Sequence, residues 1–263
     1  MELQRVDGDS FNFVQLARVI LACAKGDAID ESKAARRRSS LNYIQGSLSY
    51  NLEKAGQRED TNSKYMMHVE DLIRKDRSDA VQLGIESLLL LTDRERSQVS
   101  LSAADVVLTG NENPIIKDFV FKCIYRPQMT LSPEESAFDY DSRHCKTIHN
   151  AALAILGNSL ESAINADSPD LLGSLYKSEE WVGHSGIVNL LLCELSHAED
   201  RSHDAYHAAR CLNALLDTSV EMKQTLVERG LPSAMKASQT VGRRRHSLLA
   251  QECGAALDLM VNL

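Results

Sequence analysis

His203, His207 and Cys211 stand at successive intervals of four, which puts them on one side of a helix, where two imidazoles so spaced can share a divalent ion. Cys211 falls among apolar positions where a small thiol packs, and no glutamate completes an HExxH pattern, so the row reads as helix packing rather than a metal site. Gly183, His184, Ser185 and Gly186 begin like a nucleophile elbow, but Ile187 occupies the place of the closing glycine and no strand pattern precedes it. The sequence contains neither a GxxxxGK phosphate loop nor a paired CxxC framework. Glu134, Glu135, Asp139 and Asp141 lack the glycine-turned spacing of a calcium loop and read as a solvated acidic segment. These patterns point to no catalytic residue, no bound metal and no cofactor.

Two basic runs remain, Arg36-Arg37-Arg38-Ser39-Ser40 and Arg243-Arg244-Arg245-His246-Ser247. Each sets arginines two and three residues before a serine, the arrangement that the acidic pockets of basophilic kinases read. Phosphorylation at Ser39, Ser40 or Ser247 would add about −1.5 to −2 charge beside the guanidinium groups. The plainer reading is a solvated charge run at a helix start. Formal net charge over the whole chain is −8, which argues against a large nucleic-acid footprint. The longest apolar run, around residues 88–91, is far short of the roughly 20 residues that cross a bilayer. The opening MELQRVDGDS carries acids and no basic-then-apolar segment, and the six cysteines lack paired short spacing. Reduced, packed thiols in the cytoplasm or nucleus are the expectation.

The elements that must position these residues are helices. Hydrophobic residues make up 43% of the chain, with only five prolines and thirteen glycines, and leucine and alanine dominate the apolar set. Ser10 can cap a helix over 11–25 that Gly26 stops, a terminal cap, and the charged segment 27–40 reads as a mobile loop. Sparser helical spacing over 41–55 and 64–74 suggests one degenerate repeat. Helices are predicted over 79–92, 114–125 and 142–160, with two shorter ones within 95–110 and an acidic insertion near 126–143. Ser168 and Pro169 mark a new helix start. Segments 171–176 and 187–195 follow, parted near 177–186 by a separator that holds the single tryptophan, Trp181. The last stretch gives helices over 205–216 and 221–229, a stop at Gly230, and an immediate restart through Pro232.

Small and aliphatic residues recur in one phase: Gly84, Ile85, Leu88 and Leu91; Ala151, Ala152 and Ile155; Ala208, Ala209, Leu212 and Leu215; Cys253, Gly254, Leu257 and Met260. The phrase EMKQTLVERGLPSAMKAS, residues 221–238, resembles the first two helices of an armadillo repeat, and the recurring phase resembles its third. The interval from Ala208 to Cys253 lies within the armadillo and HEAT range of about 40 to 47 residues, and the longer intervals before it require insertions. The resemblance covers residues 78–263, most strongly after Arg201, with 1–77 as a helical cap or degenerate repeat. It implies an all-α, right-handed α-solenoid that offers a protein or peptide partner a curved surface. Arg210, Lys223, Arg243, Arg244 and Arg245 are the expected contacts. Importin-like members carry a Trp and Asn ladder on the third helix; here those positions hold Arg210 and Ala214, Glu86 and Leu90, Leu153 and Gly157, and Ala255 and Leu259, so that ladder is absent.

A second resemblance is shorter. His203-Asp204 is similar to the paired residues of HD-type metal phosphohydrolases, themselves all-helical. It implies metal-assisted hydrolysis, with a further ligand from His144, His149 or His184 and a later aspartate, Asp217 or Asp258. The continuation AYHAARCLNALL suits a repeat helix better than the turn that family places after its pair.

Overall fold

The computed structural model describes residues 100–111, 113–125, 148–166, 168–175 and 177–260, together with short, largely helical pieces between 66 and 94. The predicted cap helix, the run Arg36–Ser40 with Ser39 and Ser40, the acidic insertion and His144 lie outside the described residues. All elements among the described residues are helical: α1 Ser100–Thr109, α2 Pro114–Tyr125, α3 Ile148–Asn165, α4 Pro169–Leu175, α5 Glu179–Val182, α6 Ile187–Ser196, α7 Ser202–Leu216, α8 Val220–Glu228, α9 Leu231–Arg245 and α10 Ser247–Met260. None is long and apolar enough to cross a membrane.

Local chemistry sets the boundaries. Gly230 takes φ 86°, the left-handed region that a side chain resists, and Pro232 sits in the first turn of α9. Ser219 caps α8 by accepting a hydrogen bond from the Met222 N–H at 3.0 Å. The imidazole of His246 does the same for α10, its Nδ1 accepting from the Leu249 N–H at 3.2 Å. The three arginines Arg243, Arg244 and Arg245 close α9 in its last turn, where the helix dipole favours cations. They stand at a helix end, not at a helix start as the charge pattern suggested.

Packing follows the recurring small residues. Helix α3 lies against α1, α2 and α7; α7 lies against α3, α6 and α10; and α10 packs on α7 and α9. Helices α6 and α9 meet beside this row, joined by the Ser238 hydroxyl donating to the Leu195 carbonyl at 2.9 Å. No comparable interface joins α3 to α10. Ala151, Ala152, Ile155, Ala208, Ala209, Leu212, Leu215 and Cys253 are buried, and they belong to one continuous apolar core. The segment read as a separator carries α5, and its Trp181 is fully buried with its ring edge-on to Phe121 at 5.9 Å between centroids. Arg229 fastens the end of α8 to that segment and to α6, donating to the Val182 carbonyl and to Asn189 Oδ1, the latter at 2.9 Å.

Candidate functional site

The apolar face of α6 runs through Ile187, Val188, Leu191 and Leu195, and Glu194 shares it, so helical periodicity drives a carboxylate into the core. Helix α7 is packed by α3, α6 and α10, and Asp204 in its first turn is buried. From α3, His149 and Asn150 enter the same space, both almost fully buried. Ligand atoms of His149, Glu194 and Asp204 all lie within 4.8 Å of one another.

Each group is held from behind. His149 Nδ1 is 3.2 Å from the Cys123 carbonyl, so Nδ1 carries the proton and donates it there. Nε2 then faces the two carboxylates, 3.7 Å from Glu194 Oε1, too far for a hydrogen bond. Asn150 Nδ2 donates to Asp204 Oδ1. At the rim, the half-exposed Arg201 guanidinium comes to 3.4 Å of Glu194 Oε2, an ion pair without hydrogen-bond alignment. His149 Nε2 and Glu194 Oε2 are buried atoms with no hydrogen-bond partner, an arrangement that costs about 1–3 kcal/mol per group when nothing fills it.

Charge binds the three together. Burial opposes the imidazolium form of His149, yet the facing Glu194 and Asp204 outweigh it and hold the group above its ordinary value. Burial also opposes the Glu194 carboxylate, but His149 and Arg201 hold it below the usual range. Asp204 moves the other way: burial raises its carboxyl, His149 offsets part of that, and the Glu194 charge adds to it.

The structure separates the His203-Asp204 pair. Neighbours on a helix of 3.6 residues per turn project about 100° apart. While Asp204 turns toward α3 and α6, His203 turns toward α10, its Nδ1 3.1 Å from His246 Nε2, and Tyr206 stacks on the same His246 ring at 5.2 Å. Nor do His203, His207 and Cys211 converge, since the rise of 1.5 Å per residue sets Cys211 about 12 Å along the axis from His203. Cys211 is fully buried and its Sγ donates to the Leu153 carbonyl at 3.4 Å. Among the sequence-derived ligand candidates, His149 and Asp204 are brought together. Sequence reasoning missed Glu194, whose signal is an acid in phase with Ile187 and Leu191.

The expected contact residues divide. The Arg210 side chain is 15% exposed, and its guanidinium donates to both Glu161 oxygens, at 2.8 and 2.7 Å, and to Asn158 Oδ1 at 2.9 Å. Burial disfavours its charge, but Glu161 outweighs that and raises its pKa further. The side chain thus ties α7 to α3. Lys223 is half-buried on α8, and Arg243, Arg244, Arg245 and Ser247 are exposed. Arg244 and Arg245 pair with Glu199 at 3.3 and 2.9 Å. No family model matches the chain, and no curated protein matches it.

Proposed function

We propose that this chain is a non-enzymatic interaction scaffold, an armadillo- or HEAT-like α-solenoid that binds a protein or peptide partner on its helical surface. One observation carries the reading: α3, α7 and α10 pack in series, each on the next, with α6 and α9 meeting beside them. In a solenoid each unit buries its face only against its neighbours, which leaves a long surface for a partner. The contacts fall to Lys223 and the exposed end of α9, where Arg243, Arg244 and Arg245 make a basic edge on an acidic chain. An acidic partner segment complements that edge. The phosphohydrolase reading needs His203 and Asp204 on one ion, and their side chains leave α7 toward different neighbours.

The test is quantitative affinity capture with the full chain and with a Lys223→Glu, Arg243→Glu double variant of unchanged helical content. Recovery of a partner by the first and its loss by the second supports the reading. Equal recovery by both removes these contacts, and the lack of any specific partner removes the scaffold.

A further inference from the structure

We propose that His149, Glu194 and Asp204 form a binding site for one divalent first-row transition ion, with Zn2+ as the reference ion, fastening α3 to α6 and α7. The inference goes beyond the scaffold reading and does not depend on it.

The donor set comes first. One imidazole nitrogen and two carboxylates, with no thiolate, suit a borderline ion that accepts nitrogen and oxygen together. Ligand atoms around a tetrahedral zinc, at about 2.0–2.2 Å from the ion, stand about 3.4 Å from one another. From separations within 4.8 Å, small side-chain rotations close that gap.

Orientation is the second argument. The Nδ1 proton of His149 is committed to the Cys123 carbonyl, so the proton that an incoming ion displaces is the one on Nε2, whose lone pair then points at the two acids. A backbone carbonyl behind a ligating imidazole is the usual means of fixing its tautomer. Asn150 donates to Asp204 Oδ1 and so steadies the carboxylate while leaving its other oxygen available.

His149 Nε2 and Glu194 Oε2 are buried polar atoms without a hydrogen-bond partner, and the His149 side chain is only 2% exposed. An ion held by Nε2 and the Glu194 carboxylate gives the imidazole nitrogen its missing partner, while Oε2 keeps its ion pair with Arg201. Charge agrees, because a dication with a neutral imidazole and two carboxylates sums to zero inside the core. Arg201, at 3.4 Å on the solvent side of Glu194, remains an outer cation that orients this carboxylate.

The experiment uses the full chain, stripped with a chelator and dialysed against Zn2+, with bound metal measured by elemental analysis. One Zn2+ per chain is expected, with affinity reduced at least tenfold by His149→Ala, Glu194→Gln or Asp204→Asn and unchanged by His203→Ala. X-ray absorption of the zinc-loaded protein should show a nitrogen and oxygen shell without sulfur. If the variants fold poorly, the melting midpoint of the unmodified chain decides instead: it rises with Zn2+ concentration and does not rise with the same concentrations of Mg2+. Absence of bound zinc, equal zinc in Glu194→Gln and Asp204→Asn, a sulfur shell, or a melting midpoint indifferent to Zn2+ overturns the site and leaves an ion-pair network of His149, Glu194, Asp204 and Arg201.

Discussion

Burial at the scale of single residues decides reactivity. Cys123, Cys211 and Cys253 are buried, and desolvation of their thiolates pushes each thiol up to about 12 from an ordinary 9.0, whereas Cys193 is exposed on α6. Of these four, Cys193 alone is expected to react with iodoacetamide in the folded protein at pH 8, and peptide mapping checks it. The sign for stability follows from proton counts. Between 9.0 and about 12 the unfolded chain releases protons that the folded chain retains, so stability falls as pH rises through that window. Each thiol removes at most about 1.4 kcal/mol per pH unit there, and urea midpoints at pH 8, 9 and 10 should decline progressively, more steeply from 9 to 10 than from 8 to 9. Ion pairs divide in the same way. Arg210→Ala is expected to destabilise by about 1–2 kcal/mol, a figure kept low because Glu161 is partly solvated, while Arg244→Ala on the surface costs at most about 0.5 kcal/mol. Chemical denaturation of the two variants separates them.

Between elements, two glycines fail for different reasons. Gly230 has open space around its α-carbon but sits at φ 86°, so Gly230→Ala is expected to cost about 1–2 kcal/mol in backbone strain alone. Gly242 lies where α9 and α10 cross, and a β-carbon there would come within 2.6 Å of the Ala250 backbone nitrogen. Gly242→Ala must push the two helices apart and is expected to cost about 1–3 kcal/mol or more. Thermal melts should therefore rank Gly242→Ala at or below Gly230→Ala, and only the former should weaken α9 against α10 in hydrogen exchange. The restart at Gly230 and Pro232 was legible in sequence because a left-handed stop and a first-turn proline are local requirements. The crossing at Gly242 was not, since nothing nearby in the chain announces which backbone will approach it.

Across the whole molecule, protection should follow the packing order. Helix α7 is covered by α3, α6 and α10, whereas α8 carries only two buried side chains, Met222 and Leu226. Amides of α7 and α3 are expected to exchange slowest and those of α8 fastest among the helices from α3 onward, as native-state hydrogen exchange by mass spectrometry would show. Should α8 match α7, the serial picture of the core is wrong and the chain opens as one block. Trp181 offers a convenient companion signal, because the single tryptophan is fully buried against Phe121 and its emission reports the same opening.

Leucine and alanine at helical spacing determined by themselves that the described elements are helices, and that the faces carrying Ala151, Ala208 and Cys253 are buried, because periodicity is a property of the chain alone. They did not determine where neighbouring residues would point in space. His203 and Asp204 are adjacent in sequence and part company because successive residues on a helix point about 100° apart. Arg210 occupied a groove position in the armadillo phase, yet the approach of α3 turns it inward onto Glu161. Glu194 carried a faint signal on the apolar face of α6, but only the packing of α6, α7 and α3 around one another sets it beside His149 and Asp204. Residues far apart in the chain meet there because the tertiary structure, not local propensity, selects which faces close on which.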